Sequence, residues 1–266
     1  GDGVWLRGQE ITVQKDPAKP FTVGAPVHAA AVDFAAIFIR TDPPFDEAYL
    51  NTTWLLSFAV AAGANVVNDP KGIRNGNEKL YALEFADLCP ETIVTASLED
   101  VRAFLARVDG QAVAKPLDGH GGFGVMRLRD GDSNVNAIVE TLSLEGRQPI
   151  IVQRYLPEAT EGDRRLFMLD GELAAVLQRT PAADDHRGNV HVGGTTSATE
   201  VSDQDRLIAE RLGPRLKADG ILFAGLDVIA GKLIEINVTS PTLVQELRNH
   251  GGPDLAVSII DRVLGE

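Results

Sequence analysis

The chain has 266 residues, 44% of them hydrophobic, and a formal charge of −13. That length and apolar content provide for one or two sizeable cores, and an acidic excess spread along the chain excludes a nucleic-acid partner bound through a basic face. The single cysteine, Cys89, excludes an internal disulfide and points to a reducing compartment; beside Pro90, with no histidine near it in sequence, it reads as an inert loop thiol.

No apolar run approaches the ~20 residues of a membrane span, and the opening residues lack the pattern of a signal peptide. They are Gly-Asp-Gly, without methionine, so a preceding segment is expected. VWLRGQEITVQ predicts a short strand pair, and the apolar run Ala35–Arg40 a buried strand that delivers Arg40 into TDPPFD, where Pro43 and Pro44 prevent a helix. From Asp46 to Gly63 the pattern is helical, and ANVVN is a second strand, which makes a βαβ unit.

A helix is expected over Asn77–Leu88 with Asn77 as its N-cap. TIVTAS, QAVAKPL, VMRLRDG and PIIVQRYLP read as strands, LEDVRAFLARV and NVNAIVETLSLEG as helices. RRLFMLDGELAAVLQRT reads as two strands about the turn Asp170-Gly171. PAADDHRGNVHVGGTTSA is polar and glycine-rich, as a mobile loop would be. A helix over Ser202–Ala218, the strand pair in FAGLDVIAGKLIEINVTSPT and a closing helix complete the chain.

Gly119-His120-Gly121-Gly122-Phe123-Gly124 satisfies G-x-G-x-x-G. A dinucleotide-binding fold needs those glycines to open a helix, but VMRLRDG alternates like a strand. No Lys-Ser or Lys-Thr follows, as a Walker loop requires, and no H-R-D or D-F-G motif of a protein kinase exists. What remains is a hairpin flap, either an unliganded glycine loop or a lid whose N–H groups close on phosphates. Lys115 immediately before it favours the lid, as a cation at a strand end suits a polyphosphate.

Leu226–Thr242 offers a second constellation. If Ala230-Gly231-Lys232 is a three-residue turn, Asp227 faces Glu235 and Asn237 shares their face. Two carboxylates and an amide oxygen suit magnesium; a solvated face on a half-buried strand would show the same alternation. A two-residue turn would move Glu235 to the opposite face. Together with the flap and the lysines Lys79 and Lys115, ATP with Mg2+ explains both features. The strand end Gln153–Leu156 is either an adenine-reading edge or an ordinary exit. EGDRR supplies Asp163 and paired arginines, which suit a transferring phosphoryl group or a surface cluster. The five histidines show no metal spacing, and His120 and His186 are given no role.

RTDPPFD, NEKL, DLCPET, KPLDGHGG, QRYLP, EGDRR, RGNVHVGG and GLDVIAGKLIEINVTSPT together resemble, in order, the bacterial glutathione synthetases of the ATP-grasp superfamily, over residues 1 to about 250. The resemblance implies an α/β (α+β) chain: an ATP-grasp fold preceded by a small open pre-ATP-grasp domain, here without its first strand and helix. The expected units are residues 1–76 (substrate-binding), 77–142 (central, with the lid) and 143–266 (catalytic). The implied enzyme joins γ-glutamylcysteine to glycine through an acyl phosphate, using ATP and Mg2+ or Mn2+, as a cytoplasmic homo-oligomer.

By that resemblance Lys79 and Lys115 meet ATP phosphates under the flap that includes Gly119, Gly121 and Gly122. Gln153, Tyr155 and Leu156 meet the adenine, and Asp163 lies toward the ribose. Asp227, Glu235 and Asn237 hold the metal, with Asn237 also beside the nucleotide. Arg165 and Arg179 attend the phosphoryl transfer. Arg40, Arg187, Asn189, Ser240 and Pro241 hold the peptide, and RGNVHVGG forms a second lid. Cys89 stands where a threonine is common, and His120 and Phe123 fall at variable flap positions. A related ATP-grasp ligase would share the ATP residues and differ at Arg40, the Arg187 loop and Ser240; a decayed nucleotide-binding module would have broken part of the set that is intact here.

Overall fold

The structure, a computed structural model, describes residues 3–16, 18–119, 121–181 and 194–265. The strand pair expected within VWLRGQEITVQ is instead a single strand, β1 (Trp5–Val13), whose antiparallel partner β2 (Phe21–Ala30) comes from the following segment; most side chains of this hairpin are exposed. β3 (Ile37–Phe38), α1 (Glu47–Ala61) and β4 (Val66–Val67) form the expected βαβ unit with parallel strands. The Asp46 carboxylate caps α1 by accepting from Tyr49 N at 2.8 Å.

A short helix, α2 (Pro70–Asn75), follows; Pro70 at its first position and the Asp69 side chain as its cap explain the start. The helix expected over residues 77–88 is a correction. Only a 3-10 helix forms there, over Tyr81–Phe85. The Asn77 side chain accepts from Lys79 N and Leu80 N, so it caps a turn, and the backbone of this segment pairs elsewhere: Glu78 O accepts from Ile236 N, and Leu88 O from Leu233 N. Tertiary pairing overrides a local helical pattern here.

β5 (Thr92–Thr95), α3 (Leu98–Arg107), β6 (Gln111–Pro116), β7 (Met126–Arg129), α4 (Val135–Leu142) and β8 (Ile150–Arg154) build one layer pair. The strands form a sheet in the order β5-β8-β6-β7, with its own core of Val101, Phe104, Leu105, Ala112, Leu128 and Val139. β8 lies beyond the division at residue 142 expected from sequence, yet it pairs with both β5 and β6.

β9 (Asp163–Leu169), β10 (Glu172–Thr180), β11 (Thr195–Ala198), β12 (Phe223–Ile229) and β13 (Lys232–Asn237) form the second sheet, ordered β11-β10-β9-β12-β13. α5 (Asp203–Ala218) starts from a capping box between Ser202 and Asp205. One face of this sheet presents Leu166, Met168, Leu226, Val228 and Ile236 to a core shared with α5 and with Leu56, Ile73 and Tyr81 of the N-terminal part. The other face carries an apolar patch of Phe167, Leu177 and Phe223, packed with Leu247 of α6 (Val244–Asn249) and Leu255 of α7 (Leu255–Leu264). The rest of that face is charged and forms the floor of a cavity.

Candidate active site

A cavity of about 530 Å³ lies between the two sheets, roofed by the glycine hairpin. β6 and β7 pair antiparallel up to Ala114 and Met126, so the glycine segment joins two strands, as the sequence predicts. Gly121, Gly122 and Gly124 all have positive φ, a backbone that residues with a Cβ adopt only at a cost.

The floor comes from strand pairing. Asp227 of β12 is opposite Arg165 of β9 on one side and Glu235 of β13 on the other. Paired residues share a sheet face, so all three point into the cavity. The expected register holds by a different route from the expected one. The β12–β13 turn has two residues, Ala230 and Gly231, both with positive φ, and Ile229 pairs with Lys232. A bulge then places Ile234 as the extra residue between the pairs Val228–Leu233 and Asp227–Glu235, which returns Glu235 to the Asp227 face.

The charges on this floor are nearly all matched. Arg165 Nε donates to Asp227 Oδ1 at 2.6 Å, and Arg179 Nη2 is 2.9 Å from Asp227 Oδ2. Arg179 also donates to both carboxylate oxygens of Asp163, its partner across β9–β10. Burial acts to raise the Asp227 carboxyl, but the two guanidinium groups outweigh it and hold it well below the usual carboxylate range. Gly225, beside Asp227, makes room for this: a Cβ there would stand 3.1 Å from Arg165 Cδ and Nη1. Lys79 Nζ lies 3.0 Å from Glu235 Oε1 and donates to the flap carbonyl of Gly119. Lys115 Nζ donates to Gln153 Oε1 at 2.8 Å, and burial lowers this lysine to about 8.

The arginine pair of EGDRR divides by strand alternation. Arg165 enters the cavity, whereas Arg164 turns to the other face and binds Asp205, which completes the capping box of α5 with Ser202, at 2.5 Å.

Lys79, Lys115, Gly119, Gly121, Gly122, Gln153, Tyr155, Leu156, Asp163, Arg165, Arg179, Asp227, Glu235, Asn237 and Ser240 thus line a single cavity. Arg40 and Pro241 line a neighbouring, mostly apolar cavity of about 330 Å³, joined by a hydrogen bond of 2.9 Å from Arg40 Nη2 to Pro241 O. Arg187, Asn189, His120, His186 and most of RGNVHVGG lie outside the described residues.

Two cavity carboxylates were not singled out from sequence: Asp42 and Glu78. Thr239 Oγ1 donates to Glu78 Oε1 at 2.9 Å, and burial, then the nearby Glu235, push the Glu78 carboxyl up to about 7. Glu78 precedes Lys79 in NEKL, and that adjacency was its only signal.

Asp227, Glu235 and Asn237 also decide whether a metal fits. Among the described residues no group of three or more His, Cys, Asp or Glu side chains is arranged to hold one. Asn237 uses Nδ2 on Gly225 O at 3.3 Å, which turns its amide oxygen away from that bond. Two carboxylates and one amide oxygen on a common face form a hard, oxygen-only donor set short of a full shell, which suits magnesium completed by phosphate oxygens and water.

Family models for the prokaryotic glutathione synthetase N-terminal domain and ATP-grasp domain match residues 1–74 and 78–252. The glutathione synthetase of Pseudomonas syringae pv. tomato is 44% identical over 97% of this chain and 81% of its own length. That of Rhodopseudomonas palustris is 40% identical over 98% and 83%. In fold, the chain is similar to the D-cycloserine synthetase DcsG, with a TM-score of 0.68, 19% identity, and coverage of 88% of this chain and 86% of that one. It is also similar to the D-alanine–D-alanine ligase of Bacillus anthracis in complex with ATP, with a TM-score of 0.61, 15% identity, and 87% and 80% covered.

Proposed function

The chain belongs to the prokaryotic glutathione synthetases, ATP-dependent ligases that join γ-glutamylcysteine to glycine, and on that premise we propose how its residues divide the reaction. The cysteinyl carboxylate attacks the γ-phosphorus of ATP, ADP leaves, and the amine of glycine attacks the acyl carbon to expel phosphate. Both steps bring anions together, so the site must neutralise charge and fix geometry.

In our reading Lys115 and Lys79 grip the polyphosphate from opposite sides, one from β6 and one from the segment before the 3-10 helix. Gln153, Tyr155 and Leu156 line the adenine end. Arg154 N and Tyr155 N donate to Glu91 O and Gln111 O, which leaves Leu156 as the backbone edge for the base. Asp163 lies toward the ribose. Arg165 and Arg179, rigid and paired on the floor, face the transferring phosphoryl group. Asp227, Glu235 and Asn237 would hold Mg2+, which when bound neutralises phosphate charge as a Lewis acid.

The carboxylates that would face the metal are now partnered by the cations that would face the phosphates. A metal–polyphosphate ligand supplies each with a new partner of opposite sign, so charge stays compensated throughout. The flap amides of Gly119, Gly121 and Gly122 close over the phosphates and keep water from the acyl phosphate. Arg40, Ser240 and Pro241, with Arg187 and Asn189, hold the peptide, and RGNVHVGG closes over it.

The observation that carries this reading is the single face on which strand pairing sets Arg165, Asp227 and Glu235 side by side beneath the glycine flap. Purified protein given γ-glutamylcysteine, glycine, ATP and Mg2+ is expected to form tripeptide, ADP and phosphate in equal amounts. ADP without tripeptide would refute the assignment.

We also propose that Mn2+ substitutes for Mg2+, which a metal titration of turnover decides. The proposed units are residues 1–76, a central unit extended past residue 142 to include β8, and the remaining catalytic unit; limited proteolysis should cut between and not within them. Trp54, Leu55 and Phe58 of α1 are exposed, which supports the homo-oligomer; light scattering that finds a monomer would count against it. A cytoplasmic location, consistent with the lone cysteine, is checked by cell fractionation. Among the described residues no helix is long and apolar enough to cross a membrane.

A further inference from the structure

Glu78 differs from the cavity carboxylates carried by β9, β12 and β13. Asp227 has Arg165 and Arg179, Asp163 has Arg179, and Glu235 has Lys79. Glu78 is hydrogen-bonded by the neutral hydroxyl of Thr239 and has no ion-pair partner among the described residues. Lys79, the cation within electrostatic reach of Glu78, is paired with Glu235, so this half-buried carboxylate facing the cavity can still take a cation from a ligand.

A second observation lies in the same corner. The Tyr49 hydroxyl is buried with no hydrogen-bond partner among the described residues, within electrostatic reach of Glu78, Arg40 and Asp42. Its ring is held by Phe45, with centroids 4.8 Å apart. Asp42 and Glu78 line the site, the buried Tyr49 hydroxyl lies within electrostatic reach of both, and Arg40 lines the neighbouring cavity. Two carboxylates on one side of the cavity suit an ammonium group.

We propose that Glu78 receives the ammonium of the acceptor amino acid, glycine, with Thr239 fixing the carboxylate and Asp42 adding negative charge alongside. The amino-acid head of the other substrate is the competing source of an ammonium, but it lies the length of a dipeptide from the carboxylate that is phosphorylated. Glu78 instead stands within electrostatic reach of Lys79, Glu235 and Asp227, the corner where the acyl phosphate must form. The ammonium held there gives one proton to the Glu78 carboxylate, and the neutral amine so formed is next to the carbon it attacks. Glu78 is thus a binding residue for the second half-reaction and is not required for the first.

The inference rests on the ligase reading above, so the wild-type protein is first shown to make tripeptide; failure there would sink that reading before this one is tested. Glu78→Gln keeps the shape and the acceptor for Thr239 while removing the charge. It is expected to raise the KM for glycine about 10- to 100-fold and to leave the KM for ATP and for γ-glutamylcysteine within about twofold. Rapid-quench detection of ADP formed with γ-glutamylcysteine before glycine is added should match wild type. A rise in the KM for the peptide instead would move the ammonium site to the other substrate, and a raised Mg2+ requirement with unchanged glycine KM would make Glu78 a metal ligand; either overturns the proposal, as does no change at all. If Glu78→Gln does not fold, Thr239→Val serves. Freed from its hydroxyl partner, Glu78 should lose position, and the glycine KM should rise about three- to tenfold; a flat glycine KM in that folded variant contradicts the inference.

Discussion

Two antiparallel hairpins meet across the cavity, and they are built in opposite ways. β12 and β13 are joined by a two-residue turn, and their inward side chains are locked by ion pairs into one charged face. β6 and β7 are joined by nine residues, Leu117 to Val125, with three glycines at positive φ. In the proposed reaction the first hairpin would offer fixed charge for the transition state, and the second backbone N–H groups to close on phosphates. That division would keep preorganisation and gating on different strands.

The largest effect is expected from breaking the rigid hairpin. Asp227→Asn removes the charge that Arg165 and Arg179 share, so turnover should fall by about 10³-fold. Stripping a buried pair of its anion should also cost about 3 kcal/mol of stability, read by denaturant melts. Loss of turnover without loss of stability would mean that the floor is not held together by these charges.

Lys115 stands on β6 just before the flap, where its ammonium donates to Gln153 Oε1. Lys115→Met should raise the KM for ATP about 10- to 100-fold without lowering the melting temperature, because a buried ammonium is replaced by an apolar chain. Its pH dependence has a definite sign. Burial holds this lysine at about 8, below its usual 10.5. It is charged below pH 8 and loses its charge above, so the KM for ATP should climb by up to about tenfold per unit above pH 8, less as other cations share the load. Between pH 8 and 10.5 the unfolded chain binds more protons than the folded one, so the stability penalty of burying Lys115 is present in full below 8 and relieved as pH rises. An ATP KM that is flat from pH 7 to 9 would remove Lys115 from the phosphate site.

The flap gives smaller effects. Gly124 has φ +71°, and a Cβ there would come within 2.9 Å of the Pro116 ring, so Gly124→Ala combines backbone strain with a clash. The KM for ATP should rise about three- to tenfold with little change in melting temperature, as loop strain of about 1–2 kcal/mol is met where little else is packed. Gly121, at φ +62° with nothing within 4 Å, carries the strain alone, and Gly121→Ala should change the ATP KM only about two- to threefold. Equal effects at both positions would mean that the Pro116 contact does not shape the lid.

The strand and helix order was largely legible, because alternation in PIIVQRYLP, LFMLDGELAAVLQ and LIEINV is set by burial of one face. Part of the cavity was legible too: strand parity puts Glu235 and Asn237 on one side, and most of the other lining residues followed from the family resemblance. Features set by distant pairing were not. The 77–88 segment surrendered its helix to β13, whose Ile236 and Leu233 amides bind its carbonyls. The bulge at Ile234 cannot be read from an uninterrupted apolar alternation, although it decides which face Glu235 takes. Glu78 was hidden for a related reason: its neighbours Thr239, Glu235 and Asp227 come from a hairpin about 150 residues downstream, while its own sequence context is an ordinary polar turn.

We propose that Asp227, Glu235 and Asn237 meet Mg2+ on the phosphates of ATP, and the most direct test is the Mg2+ dependence of tripeptide formation, at saturating ATP, in wild type and Glu235→Gln. Removing one carboxylate of the donor set should raise the half-saturating Mg2+ at least about tenfold and lower maximal turnover, in a folded protein whose melting temperature falls because the buried Lys79 loses its ion-pair partner. A Glu235→Gln enzyme that saturates at the same Mg2+ concentration and turns over at the wild-type rate would contradict it.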